Sequence, residues 1–107
     1  MRTFSGGGGS YRPTSANSDI ERRAIPTSLE LVTSENFLLF YLEAANNSGG
    51  DVVVTVYDQT GMVLVPASQV ANGNILTYRS DFGTPMDGLS WIASGPGLVG
   101  WFCGALL

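Results

Sequence analysis

Residues 51–61 read Asp51-Val52-Val53-Val54-Thr55-Val56-Tyr57-Asp58-Gln59-Thr60-Gly61. From Val52 to Tyr57 every side chain is β-branched or aromatic, the type that fits a pleated surface. Val52, Val54 and Val56 fall on one side, and Val53, Thr55 and Tyr57 on the other. A carboxylate closes each end, and Asp58-Gln59-Thr60-Gly61 carries turn chemistry. The segment predicts a strand running into a hairpin. Met62–Val65 is the returning strand, and Pro66 is expected to end it.

The same signals continue in both directions. Upstream, Ser28–Thr33 alternates with Leu29 and Leu31 on one face. Asn36–Asn46 sets Leu38, Phe40, Leu42 and Ala44 against Phe37, Leu39 and Tyr41. Apolar groups on both faces predict a central strand or a subunit contact. Asn46–Gly50 is a turn. Downstream, Ala71–Asn74 is a turn before a strand over Ile75–Arg79. Residues 80–88, with Gly83, Pro85 and Gly88, read as a loop. Leu89, Trp91 and Ala93 share one face of the next strand. In the last strand Val99, Trp101 and Cys103 oppose Leu98, Gly100 and Phe102. The expected fold is all-β: an antiparallel β-sandwich or jelly-roll-like domain of about seven or eight short strands.

Residues 1–25 differ from this body. Gly6–Ser10 and the Pro, Ser and Asn residues of 13–18 predict an extended Gly/Ser-rich arm. The domain then spans 26–107. Ser18–Arg23 has a capping box for a helical turn that Pro26 stops. Phe4, Tyr11, Ile20 and Ile25 are isolated apolar residues suited to peg into a partner. Charge divides the same way: four arginines meet two acids in residues 1–25, whereas one arginine meets seven acids in residues 26–107. Arg12, Arg22 and Arg23 are therefore expected to pair with acids on a neighbouring chain. Four arginines without a lysine make too thin a patch to expect nucleic acid as partner.

The chain has 107 residues, 44% of them hydrophobic and 13% charged, with no histidine, no lysine and one cysteine. No imidazole or amine is present to activate a nucleophile, and no internal disulfide can form. No catalytic residue, cofactor site or metal site is expected. Asp58-Gln59-Thr60-Gly61 nearly matches the Asp-Thr-Gly loop of aspartic proteases, but Gln59 interrupts it and no second copy supplies a dyad. Asp81 and Asp87, near Trp91, are the carboxylates a glycosidase or a Ca²⁺ site would draw on. Solvated turn residues are the simpler reading. Cys103, in an apolar strand, reads as a buried inert thiol. Met1–Ser5 leads into glycines, so no signal peptide is expected. The uncharged run from Gly88 to Leu107 is broken by Ser94-Gly95-Pro96-Gly97. It reads as two strands and not as a membrane span.

The body is small: about 80 residues bury roughly 60% of their unfolded surface. Two Trp, four Tyr and five Phe exceed what so thin a core needs. Tyr41, Tyr78, Trp91 and Trp101 are the candidates for oligomer contacts. Tyr78, Trp91 and Trp101 could form a stacking platform for glycan, but tryptophan at alternating strand positions reads first as core or interface.

The segments Ala44-Ala45-Asn46-Asn47-Ser48-Gly49, Asp51–Asp58, Gly61–Pro66 and Asp87-Gly88-Leu89-Ser90-Trp91-Ile92-Ala93-Ser94-Gly95-Pro96-Gly97-Leu98-Val99-Gly100-Trp101 together resemble small β-sandwich virion proteins of tailed bacteriophages and prophages. The resemblance spans Asn36 to Gly104 and leaves out the Gly-rich arm. It implies a non-enzymatic structural subunit located in the virion. A capsid decoration or cement subunit comes first; a tail, neck or head-fibre component stands beside it. The implied partners are the major capsid protein or neighbouring subunits. The aromatic excess adds a homo-oligomer, trimer or pentamer, with no membrane partner. A carbohydrate-binding module for host attachment is the alternative from another class.

Overall fold

The computed structural model describes residues 17–19 and 22–107. They form seven strands: β1 (Asn17–Asp19), β2 (Arg23–Ala24), β3 (Glu30–Asn46), β4 (Val52–Tyr57), β5 (Val63–Val70), β6 (Ile75–Ala93) and β7 (Leu98–Leu106). All pairings are antiparallel, in one sheet ordered β1-β7-β3-β6-β4-β5, with β2 also on β7. The all-β antiparallel expectation is met. The strands are longer than the sequence suggested, with β3 running 17 residues and β6 running 19.

No helix covers the sheet among the described residues. Yet Phe37, Leu39, Val54, Leu89, Trp91 and Phe102 are all 0% exposed. A flat sheet without a second layer leaves one face wet; this one curls so that its inner face closes on itself. The centre of the core is aromatic. Phe37 stacks on Phe102 at 5.5 Å, and Trp91 meets Phe102 edge-on at 6.1 Å.

A bulge decides what β3 buries. Its register slips between Leu39 and Tyr41 against both β6 and β7. One extra residue reverses the parity of the side chains beyond it. Phe37 and Leu39 therefore point inward together with Leu42 and Ala44, and Leu38, Phe40 and Tyr41 stay on the outer side. This corrects the sequence assignment of Leu38, Phe40, Leu42 and Ala44 to a single face.

Three further expectations change. Residues 80–88 belong to β6 and are not a loop. Pro66 does not end its strand: β5 is the sheet edge, where a missing N–H interrupts no ladder. Ser18 and Asp19 lie in β1 and Arg23 in β2, where a helical turn was expected. The sheet thus reaches back into the presumed arm. Asn17–Asp19 pairs with Ala105–Cys103, Arg23–Ala24 pairs with Gly100–Val99, and Ile25 is a core residue, 2% exposed, not a peg.

The Asp58–Gly61 turn forms as expected. The Asp58 carboxylate accepts from the Thr60 N–H (2.8 Å), the Thr60 hydroxyl (2.6 Å) and the Met62 N–H (3.0 Å). The Thr60 hydroxyl is the main cause of a pKa below the ordinary 3.8; backbone N–H groups of Met62, Thr60 and Gly61 add to it. Because the folded value is depressed, the stabilisation is present above pH 3.8 and is lost as pH falls through the lower folded value. Asp58→Ala is expected to melt below wild type at neutral pH. The gap should narrow between neutral pH and an acid pH below 3.8, as the wild-type carboxylate takes up its proton. Thermal melts at the two pH values check this; an undiminished gap in acid would contradict it.

Candidate functional site

The outer face of β3, β6 and β7 gathers aromatic and charged side chains that the core does not use. Beyond its bulge β3 turns Tyr41 and Glu43 outward, opposite Cys103 and Trp101 of β7. On the other flank Tyr41 faces Arg79 of β6. The Tyr41 and Trp101 rings lie 5.4 Å apart, tilted by 56°. The Tyr41 hydroxyl donates to Glu43 at 3.0 Å. Arg22 sets its guanidinium 5.2 Å from the Trp101 ring centre and 3.7 Å from Glu43. Burial raises the Tyr41 pKa above 10.0, as do the hydrogen bond to Glu43 and its charge; Arg79 and Arg22 oppose. The phenol is therefore a neutral donor at physiological pH.

Tyr41, Glu43, Arg79 and Trp101, with Phe40, Ser80, Asp81 and Cys103, line a shallow groove of about 770 Å³. Beside it β6 makes an unusual excursion. Leu39 pairs with Thr84 and Tyr41 with Arg79, so Ser80–Gly83 stand against Phe40 alone. Gly83 has φ +84°, and a Cβ there would lie 2.8 Å from that of Leu38. Only glycine closes the excursion against β3. The Tyr78 hydroxyl and the Thr84 hydroxyl, 2.5 Å apart, clamp its two ends. Phe82 at its crest is 94% exposed.

The sequence candidates divide. Phe4, Tyr11, Arg12 and Ile20 lie outside the described residues. Tyr41 and Trp101 come together on the outer face. Tyr78 packs against the core on the inner side and so offers no platform beside Trp101. Trp91 is fully buried, which corrects its assignment to a contact surface; its indole N–H donates to Glu30 at 2.8 Å. Arg23 ion-pairs with the same Glu30, and Arg22 with Glu43, so both arginines find acids within their own chain where a neighbour was expected. Cys103 is half-buried on the outer face and lines the groove, not the core. Phe82, Glu43 and Arg79 were missed. The one available signal was an aromatic residue, Phe82, between Asp81 and Gly83 in a turn-like stretch.

The two carboxylates a glycosidase would draw on, Asp81 and Asp87, do not converge. Asp58 is engaged in its turn. Asp87 accepts from Gln59 and sits opposite Asn36, whereas Asp81 lies in the groove near Tyr41. Five strand residues separate those levels, about 17 Å, well beyond the roughly 5–9.5 Å of a glycosidase pair. Among the described residues no three Cys, Asp or Glu side chains gather as metal ligands would. No described helix is long and apolar enough to cross a membrane.

No family model matches the chain, and no curated protein does. Among solved structures it is similar to a protein of Bacillus endospore appendages, described as a family of disulfide-linked pili. The TM-score is 0.52 at 13% identity, covering 99% of this chain and 94% of the other. Procruciferin, an 11S globulin of Brassica napus, gives 0.39 at 15% identity over 85% of this chain and 21% of its own. A family 29 carbohydrate-binding module gives 0.36 at 18% identity over 94% of this chain and 75% of its own. The appendage likeness is one of fold: a curled antiparallel sheet matched over nearly the whole of both chains.

Proposed function

We propose that this chain is a structural subunit that acts by adhesion in a tailed-phage virion, as a capsid decoration or cement subunit, with tail, neck or head fibre as the nearest variants. One observation carries the adhesive part: Tyr41 and Trp101 meet outside the core, only half-buried, and Phe82 stands 94% exposed. The virion setting rests on the resemblance between Asn36 and Gly104. The same proposal takes the curled sheet as a jelly-roll-like sandwich, since β3 and β6 are long enough for their two halves to serve opposite layers of the curl. The appendage protein of like fold builds pili, which supports a building-block reading. Its disulfide linkage does not carry over. Cys103 is the only cysteine in this sequence, and one thiol per subunit bridges two copies but not a continuous chain.

A second reading, glycan binding, is favoured by the Tyr41–Trp101 pair in a groove that also holds Arg79 and Asp81. Against it, Arg22 already lies over the Trp101 ring.

Quantitative mass spectrometry of purified particles tests the proposal. The full chain is expected at a fixed copy number per particle. A chain lacking residues 1–16 is expected to fold yet be recovered at a fraction of that number; the cut stops at Asn17 because β1 and β2 are part of the sheet. Absence of the full chain from particles overturns the virion reading. Quenching of Trp101 emission by an oligosaccharide panel would replace it with the glycan reading.

A further inference from the structure

We infer that the outer face of β3, β6 and β7 is the docking surface for a second copy of this chain, related by a two-fold axis. The inference deepens the structural-subunit reading and rests on it.

The first argument is shape. A two-fold contact presents the same patch twice, so the patch must carry both a projection and a recess. This one does. The groove walled by Phe40, Tyr41, Arg79 and Trp101 is the recess, and Phe82, 94% exposed, follows directly on Asp81 of its wall in the chain. The projection is fixed in place, since the Tyr78–Thr84 clamp and the Gly83 approach to Leu38 hold its base against the sheet. A rigid aromatic anchor loses little conformational freedom on docking. An exposed phenylalanine beside a shallow aromatic groove suits a contact core.

The second argument is charge, and it selects the occupant. Of the three arginines among the described residues, Arg22 and Arg79 both lie on this face, interleaved with Glu43 and Asp81. The rest of the described surface holds Glu30, Glu35, Asp51, Asp58 and Asp87 against Arg23 alone. Copies meeting through Asp51, Asp58 or Asp87 bring acid against acid. Here, rotation about a two-fold axis can set Arg79 of one copy against a carboxylate of the other. A strongly basic or acidic partner would find no complementary charge on so balanced a surface. The third observation concerns Tyr41: its phenol is held neutral and bonded to Glu43, so it brings no extra charge into the contact.

Sedimentation velocity on the full chain tests the inference with three exposed substitutions. Wild type is expected to self-associate. Phe82→Ser is expected to weaken association at least tenfold with an unchanged melting curve, because a side chain so exposed supports nothing in its own fold. Arg79→Glu and Asp81→Arg are each expected to be monomeric, because each unbalances the face. An equimolar mixture of those two should associate again. A monomeric wild type at about 100 µM overturns the inference. So does association that survives Phe82→Ser and Arg79→Glu, or a mixture that stays monomeric. The virion reading is tested separately by particle composition, so failure here leaves that result readable.

Discussion

Trp91→Ala is expected to remove about 3–5 kcal/mol of stability, a large share of the roughly 5–15 kcal/mol that holds a small domain together. Trp91 is the largest fully buried side chain, and it lies edge-on to Phe102, which in turn stacks on Phe37. Its ring also fills the space that Gly100 leaves; a Cβ at Gly100 would come within 2.7 Å of the indole. Truncation opens a cavity that β6 and β7 cannot close without leaving their register. It also strips Glu30 of its indole donor, while Arg23 remains paired to the same carboxylate. Trp91→Phe separates the two contributions. It keeps most of the ring volume and loses the N–H, so its cost should be nearer the ~1.5–3 kcal/mol of a hydrogen bond to a charged group. Chemical denaturation followed by far-ultraviolet circular dichroism reads both. If alanine and phenylalanine cost the same, cavity formation is not what Trp91 prevents.

The two tryptophans show how much of this was legible in the sequence. Both sit at alternating positions of apolar strands, and alternation alone assigns neither an inside nor an outside. Val52–Tyr57 was readable because only one parity is wholly aliphatic. In β7 both parities are apolar, and the clue lay in the glycines. Gly100 and Gly104 share the parity of Leu98 and Phe102, and they mark the inner face because Trp91 and Phe37 need the room. Bulges were not legible. A bulge adds a residue and leaves no mark in composition, so β3 looked two-sided where it changes parity in mid-strand. The stretch 80–88 misled for a related reason. Its glycines and Pro85 are turn formers, but here they sit in a strand whose second edge is largely open. β4 pairs with β6 only from Ser90 to Ala93, so Pro85 need not break a ladder on that side. The outer face was half legible: Tyr41 and Trp101 were picked as contact residues, but their meeting depends on the β3–β7 register, which no local pattern encodes.

Gly104→Ala is the sharpest test of that register. A glycine-to-alanine change at a compatible site stabilises by about 0.4–1 kcal/mol, because the unfolded chain loses freedom. At Gly104 the sign should reverse. A Cβ there would stand 2.2 Å from the Leu38 carbonyl oxygen, 2.9 Å from the Phe37 ring and 3.1 Å from the Leu38 carbonyl carbon. Two of those atoms are backbone of the neighbouring strand, so no rotamer change relieves the clash. β7 must move away from β3 where the register already slips. Overpacking of this kind costs about 1–3 kcal/mol or more, and each ladder bond stretched adds about 1 kcal/mol. The damage should spread to the other edge, because Gly104 pairs with Leu39 on one side and Ser18 on the other. Amide exchange should therefore accelerate in β1 together with β7. Gly50→Ala is the control: nothing lies within 4 Å of its Cβ, and it is expected to be neutral or slightly stabilising. If both substitutions raise the melting temperature, β7 does not lie as close to β3 as the pairing requires. The Tyr41–Cys103 and Glu43–Trp101 pairs that build the outer face would then fall with it.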